Sequence, residues 1–86
     1  MTDTPEAPSA EDIAQHYTAL GHSVDLINAI IAGERHEDTQ EETNDRVNRN
    51  VRHLEIMVAK DFWTTEDMTA SNNAITAGKA YIASNS

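Results

Sequence analysis

The 86-residue sequence contains no cysteine and only three glycines, two prolines and four aromatic residues. Without cysteine, neither a disulfide framework nor a thiolate metal site can form within the chain. The three glycines are isolated, so there is no glycine-rich loop of the kind that binds phosphate groups. No apolar run approaches the roughly 20 residues of a membrane span, and the N-terminus has no apolar signal segment. We therefore expect no membrane contact and no secretion through a signal peptide.

The charges that are present lie mostly in one half of the chain. Residues 1–45 contain 11 acidic residues and one base, Arg35, whereas residues 46–86 contain four acidic and five basic residues. A strongly acidic segment repels the phosphate backbones of nucleic acids and the headgroups of anionic lipids. The distribution argues against direct binding of nucleic acid, and it favours a basic protein surface as the partner.

Motifs that would indicate catalysis or metal binding are incomplete. His36-Glu37 begins the zinc-protease pattern H-E-x-x-H, but Gln40 occupies the position of the second histidine. The acidic segment 38–49 lacks the glycine that a calcium loop needs at its sixth position, and Arg49 stands where the final Glu should be. Carboxylates near helix starts are stabilised in their ionised form, which works against a raised catalytic pKa. We expect no enzymatic activity, no metal, no cofactor and no small-molecule substrate.

Helix caps and the spacing of apolar residues predict an all-α fold, a small hairpin or bundle of three to four helices. Residues 1–8, which include both prolines, are predicted to be a flexible arm. Residues 9–83 form a single predicted helical domain, with helices at about 10–20, 24–32, 40–60 and 65–77, and residues 84–86 are predicted to fray.

The predicted helix ends depend on a few residues. Ser9 and Thr64 are the expected N-caps of the first and last helices, and Thr39 forms a capping box with Glu42 at the start of the longest one. Gly21 is expected to separate the first two helices, although a single helix that bends at Gly21 is an open alternative. The buried stripe of the longest helix is predicted to consist of Val47, Val51, Leu54 and Val58.

Three arginines, Arg46, Arg49 and Arg52, form a basic strip on the longest predicted helix. Acidic residues lie one turn earlier, so we predict the ion pairs Glu42–Arg46 and Asp45–Arg49. A strip that is neutralised in this way is more typical of a solvated helix face than of a nucleic-acid site.

Two segments of the chain are similar to each other. Residues 26–33 (LINAIIAG) and 71–78 (SNNAITAG) share five identities in eight positions. The simpler interpretation is that these residue types are common near helix ends. The alternative is a duplicated helical hairpin, which predicts related positions for the two segments on either side of the longest helix.

Two surfaces are candidates for binding a partner. The first is an acidic front between residues 34 and 45, whose carboxylates are Glu34, Glu37, Asp38, Glu41, Glu42 and Asp45. The second is an aromatic corner at Phe62-Trp63, with Tyr81 as a candidate companion. Aromatic residues dominate both binding hot spots and small cores, so we expect one of the adjacent pair in the core and the other exposed.

The segment RNVRHLEIMVAKDFWTTEDMTA, residues 49–70, resembles small uncharacterised proteins encoded by tailed bacteriophages. The resemblance implies a helical hairpin and carries no catalytic motif. For proteins of this kind it implies two roles, a minor component of the virion or an inhibitor that binds a host enzyme.

These observations predict a non-enzymatic protein–protein interaction module. The first expectation is a minor structural or cement component of a phage capsid or tail, because a small core and an arm are both completed by contact with a neighbour. The alternative is a small acidic phage-encoded inhibitor of a host nucleic-acid-binding protein. The expected partner is a second copy of the chain or a larger phage or host protein, in the virion or the host cytoplasm.

Overall fold

The computed structural model describes residues 8–86, which form three helices. These are α1 (Ala10–Ile31), α2 (Gln40–Val58) and α3 (Thr69–Ser84), joined by connections at residues 32–39 and 59–68. Each helix packs against the other two, and no strand occurs among the described residues. The predicted all-α class and small bundle are confirmed. The predicted arm lies outside the described residues except for Pro8.

Helix α1 unites the two helices predicted at 10–20 and 24–32. It begins as expected, because the Ser9 hydroxyl accepts a hydrogen bond from the Asp12 N–H at 3.1 Å. It then continues through the exposed Gly21 and ends before Gly33, which has a φ of 77°. A glycine inside a helix costs about 1 kcal/mol, and the burial of Leu20 and Val24 on either side of Gly21 offsets that cost. The alternative of a single helix is therefore the correct one.

Helix α2 begins at the predicted cap and ends at Val58, two residues before the predicted Lys60. The Thr39 hydroxyl accepts from the Glu42 N–H at 3.0 Å, as in a capping box. The Glu42 carboxylate, however, accepts from the Thr39 hydroxyl at 3.1 Å. The next residue along, Thr43, is buried and its hydroxyl donates to the Thr39 carbonyl and accepts from the Glu37 N–H, both at 2.9 Å. These bonds fasten the connection 32–39 to the start of α2.

Helix α3 begins later and ends later than the helix predicted at 65–77. Residues 64–68 are not helical, because their polar groups bond to one another locally. Glu66 accepts from the Thr64 N–H at 3.3 Å and from the Thr65 hydroxyl at 3.1 Å. Asp67 Oδ1 accepts from the Thr69 N–H at 2.8 Å and so supports the true start of the helix. The prediction of Thr64 as the N-cap is wrong.

The core lies where the three helices meet. Helices α1 and α2 supply the large side chains, whereas the buried face of α3 consists of small residues. The buried apolar residues are Leu20, Val24, Ile27 and Ile30 of α1, Val47, Val51 and Leu54 of α2, and Ala74 of α3. Ser71 and Gly78 complete the buried face of α3. Small residues let the backbone of α3 approach α2 closely.

Gly78 marks the tightest point of this approach. A Cβ atom added there would lie 2.5 Å from Val51 Cγ2 and 3.3 Å from Val47 Cγ1. Gly78 was expected either to end the last helix or to be spanned by it, and the structure shows the second. It lies within α3 because only a residue without a side chain fits between the two helices.

The two similar segments have different packing roles. Gly33 ends α1, whereas its counterpart Gly78 is buried inside α3. Ile27 is buried in the core, whereas its counterpart Asn72 is exposed. The segments therefore do not bury equivalent faces, which favours the simpler interpretation of the similarity.

The glycines provide a matched pair of stability tests. Gly78→Ala should lower the free energy of unfolding, because overpacking costs about 1–3 kcal/mol and outweighs the gain in helix propensity. Gly21→Ala should raise it by up to about 1 kcal/mol, because a Cβ at Gly21 meets no atom within 4 Å. Urea denaturation followed by circular dichroism measures both. Equal effects at the two positions would contradict the close approach of α3 to α2.

Candidate functional site

The acidic front occupies the connection 32–39 and the first turns of α2. Five of its six carboxylate residues are exposed, namely Glu34, Asp38, Glu41, Glu42 and Asp45. Glu37 is half-buried. The front is therefore a solvated surface at one end of the bundle, and most of its carboxylates are accessible to a partner.

Glu37 has a structural role within this front. Its Oε1 atom lies 3.1 Å from both Nε and Nη2 of Arg46, and this pair ties the connection to α2. The predicted pair Glu42–Arg46 is therefore wrong, because Arg46 turns to Glu37. The other ion pair among the described residues joins Lys79 to Glu55 at 2.6 Å.

The predicted pair Asp45–Arg49 is also wrong: it is not among the ion pairs of residues 8–86. Both side chains are exposed on α2. Exposed ion pairs one turn apart are worth only about 0.3–0.5 kcal/mol, which is little against the side-chain entropy that they must overcome.

A polar cleft adjoins the acidic front, between the start of α2 and the end of α3. Its volume is about 480 Å³. Seven of its eight lining residues have polar side chains, and the eighth is the apolar Ile82. The lining residues are Gln40, Glu41, Asn44, Asp45, Asn48, Ile82, Asn85 and Ser86. Glu41 and Asp45 therefore belong both to the front and to the cleft.

A hydrogen-bond network holds the two helices together at this cleft. Gln40 Nε2 donates to Asn44 Oδ1 and to the Tyr81 hydroxyl, both at 2.9 Å. Asn44 Nδ2 donates to the Asn85 carbonyl at 3.0 Å, and Asn85 Nδ2 donates to the Tyr81 carbonyl at 2.8 Å. The end of the chain, predicted to fray from residue 84, is thus bonded to α2, and α3 includes Ser84.

The network also corrects the predicted place of Tyr81. This residue was expected beside Phe62 and Trp63, but its hydroxyl bonds to the first residue of α2, whereas Trp63 bonds to Met57 near the other end of that helix. The two positions on α2 are about 25 Å apart along its axis. Tyr81 therefore supports the cleft beside the acidic front and takes no part in the aromatic corner.

Two residues of α1, and not Tyr81, contact the aromatic corner. The rings of Phe62 and Trp63 lie 4.7 Å apart between centroids. His16 stacks on Phe62 at 5.7 Å, and Tyr17 meets Trp63 at 6.1 Å. No feature of the sequence places His16 or Tyr17 at this corner, because the contact joins segments that are distant along the chain.

Two hydrogen bonds attach the aromatic corner to the helices. Trp63 Nε1 donates to the Met57 carbonyl at 2.8 Å, and the Tyr17 hydroxyl donates to the Asp67 carbonyl at 3.0 Å. Trp63 packs against the core cluster, whereas Phe62 is half-buried outside it. Trp63 is itself only half-buried, so the expectation of one core ring and one exposed ring is not met. The corner fixes the connection 59–68, and its rings contact one another.

Two carboxylates in this connection have perturbed acidity. The Thr69 hydroxyl and N–H both bond to Asp67 and hold the pKa of its carboxyl below the usual value. At Glu66, partial desolvation raises the pKa, but the hydrogen bonds from Thr64 and Thr65 together outweigh it and leave the pKa lowered. Both groups are therefore ionised at neutral pH, where their charge supports the local hydrogen bonds.

Residues 8–86 contain no group of three or more His, Cys, Asp or Glu residues placed to hold a metal ion. None of the helices α1 to α3 combines the length and the apolar character that crossing a membrane requires.

Comparison of the chain with protein-family models, curated proteins and solved structures found no match.

The hydrogen bond at Asp67 leads to a prediction about pH. Because the pKa of the folded state is lowered, the ionised carboxylate stabilises the fold above its unfolded pKa, and this contribution is lost as the pH falls through the folded pKa. Asp67→Asn should lower the thermal midpoint at neutral pH, and the difference from wild type should shrink below about pH 4.

Asp61→Asn is the matched control, because it removes the same charge from an exposed position in the same connection. A difference between wild type and Asp67→Asn that stays constant from neutral to acidic pH would disprove a stabilising role for the Asp67 charge.

Proposed function

We propose that this protein is a non-enzymatic binding module and that its acidic front is the surface that meets a protein partner. The observation that carries the proposal is the cluster of five exposed carboxylates beside a preformed polar cleft. The aromatic corner is the weaker candidate, because its rings contact one another and its indole N–H is bonded within the chain.

The chemistry of the cleft favours a cationic segment of the partner. Glu41 and Asp45 line it with negative charge, and the amides of Gln40, Asn44 and Asn48 supply oxygen acceptors for an ammonium or guanidinium group. A Lys or Arg side chain could lay its apolar stem along Ile82 while its charged end reaches the carboxylates. Aromatic side chains, which are common in the sites of small apolar ligands, do not line this cleft.

The charge of the acidic front also acts at a distance. Opposite charge on two proteins raises the rate at which they meet, and this steering weakens as the salt concentration rises. Exposed carboxylates at the rim of an interface contribute mainly to this rate and to the choice of partner. The proposed binding is therefore selective for a basic surface and sensitive to ionic strength.

The first setting that we propose is a bacteriophage particle, in which the protein is a minor structural or cement component of the capsid or tail. The resemblance of residues 49–70 to small phage proteins supports this setting. The core supports it as well, because eight buried apolar residues make a small core that contact with a larger neighbour would stabilise.

Purified particles of the encoding phage test this setting. Mass spectrometry should detect the protein at a stoichiometric level, and its absence would end the virion hypothesis. Particles grown with the front-neutralised variant, Glu34→Gln, Asp38→Asn and Glu41→Gln, should contain several-fold less of the protein.

The matched control for that variant is Glu11→Gln, Asp25→Asn and Asp61→Asn. It removes the same number of charges from exposed positions, and Glu11 lies in the first turn of α1 as Glu41 does in the first turn of α2. Equal incorporation of the two variants would show that the acidic front does not mediate attachment.

The second setting is inhibition of a host nucleic-acid-binding protein, and the density of exposed carboxylates in the acidic front specifically favours it. Such a surface competes with the phosphate groups of nucleic acid for the same basic groove. In this setting the protein acts in the host cytoplasm.

Capture from host lysate tests the second setting. The immobilised protein should retain a nucleic-acid-binding protein, and added DNA should displace it. The front-neutralised variant should retain at least several-fold less, whereas the control variant should behave as wild type. Capture that is unchanged by the front-neutralised variant would count against this setting.

A further inference from the structure

The outward face of α2 is exposed to solvent, and its first members, Glu41, Asp45 and Asn48, also line the polar cleft beside α3. This outward face lies opposite the buried stripe of Val47, Val51 and Leu54, and its residues recur at helical spacing along most of the helix. Its exposed members are Glu41, Asp45, Asn48, Arg49, Arg52 and Ile56. Ile56 is 58% exposed, the highest value among the large apolar residues that the structure describes as exposed.

The charges of the outward face are ordered along the helix. Its first half is acidic, with Glu41 and Asp45, and its second half is basic, with Arg49 and Arg52. Asp45 and Arg52 are seven residues, or about 10 Å, apart along the axis, which is beyond the spacing at which helix residues pair. The ion pairs of residues 8–86 are Arg46–Glu37 and Lys79–Glu55. Among these described residues, Glu41, Asp45, Arg49 and Arg52 therefore take part in no ion pair.

A face with this order of charge is complementary to itself. A two-fold axis perpendicular to α2 and close to Asn48 reverses the direction of the helix and brings Asp45 of one copy against Arg52 of the other; Arg49, the residue after Asn48, lies beside the axis. We propose that the outward face of α2 binds the same face of a second copy, so that the protein forms an antiparallel homodimer.

In this dimer, Asp45 of each copy lies against Arg52 of the other, which gives two reciprocal ion pairs. Asn48 of the two copies meets at the axis, where each amide can both donate and accept a hydrogen bond. Ile56 lies against the aliphatic part of Glu41 in the second copy. The interface thus covers the most exposed apolar side chain of α2.

The charge order is also the reason to assign a second copy and not another occupant. A uniformly basic partner is attracted by Glu41 and Asp45 but repelled by Arg49 and Arg52, and a nucleic acid meets the reverse problem. A matching surface must place basic and acidic groups in the opposite order. The same helix read antiparallel has that order.

The dimer and the acidic front share Glu41 and Asp45, so self-association and the binding of a basic partner compete for these residues. Arg52 belongs to the outward face alone, since it lies outside the acidic front. A change at Arg52 therefore separates the two interactions: it affects the dimer and leaves the charge of the acidic front unchanged.

Sedimentation of the full chain at several concentrations tests the dimer. Wild type should show a concentration-dependent monomer–dimer equilibrium that weakens as salt is added. Asp45→Arg and Arg52→Asp should each weaken dimerisation by about tenfold or more, because like charges then face each other across the axis.

An equimolar mixture of these two variants is the decisive sample. Asp45→Arg makes the centre of the outward face basic in one protein, and Arg52→Asp makes it acidic in the other. The mixture should therefore form a heterodimer, although each variant alone is monomeric. Restored association in the mixture also shows that both variants are folded, which circular dichroism checks independently.

Two control variants carry the same charge changes elsewhere. Arg35→Asp and Asp25→Arg alter exposed positions outside α2 and should dimerise as wild type does. A wild-type protein that stays monomeric at every concentration overturns the proposal. So does an Arg52→Asp variant that dimerises normally, or a mixture that does not associate. If the dimer forms, Arg52→Asp should capture a basic partner at least as well as wild type, because it releases Asp45 and leaves the charge of the acidic front intact. A loss of dimerisation without a loss of capture keeps this test distinct from that of the acidic front.

Discussion

The close contact between Gly78 and Val51 is the constraint on which the rest of this structure depends. A side chain at residue 78 would collide with Val51, so the absence of one sets how near α3 lies to α2. Because α3 lies close to α2, the end of α3 packs beside the first turns of α2. There Gln40 hydrogen-bonds to Tyr81 and Asn44 hydrogen-bonds to Asn85. The polar cleft therefore follows from a contact in the core, although none of the core residues lines it.

The opposite end of the bundle is closed by aromatic rings in place of amides. Phe62 and Trp63 leave the end of α2 and meet His16 and Tyr17 of α1. Their hydrogen bonds to the backbone fix the connection that turns the chain toward α3. The aromatic pair was a candidate binding hot spot in the sequence, but its contacts mainly hold the connection 59–68 in place. This leaves the charged surfaces as the stronger candidates for recognition.

In a chain of 86 residues one helix can contribute to several surfaces, and α2 does so. One side of the helix supplies the core, its start supplies part of the acidic front, and its outward face orders acid before base. Asp45 belongs to both exposed surfaces. Because one carboxylate cannot pair with two cations from different partners at full strength, the proposed self-association and the proposed partner binding would be linked through this residue. A basic partner that binds Asp45 would thereby dissociate the dimer.

The sequence by itself determined the features that depend on neighbouring residues. Ser9 and Thr39 predicted the starts of α1 and α2, and apolar spacing predicted the buried stripe, because a cap bond or a helical face involves residues only a few positions apart. Val47, Val51 and Leu54 are buried as predicted, whereas Val58, the last residue of α2, is half-buried. The acidic front was predictable for the same reason, since its six carboxylates lie close together in the sequence. Five of the six are exposed in the folded chain.

Tertiary structure decided what joins residues distant along the chain. Gly21 and Gly78 have the same local propensity to end a helix. Packing against α2 nevertheless stabilises α1 across Gly21 and α3 across Gly78. Tyr81 was assigned to the wrong end of the bundle, because only the path of α3 brings it to Gln40. Arg46 had an acidic residue one turn away in Glu42, but the folded connection offered it Glu37. In each case the local preference was worth about 1 kcal/mol or less, and the contacts made on folding outweighed it.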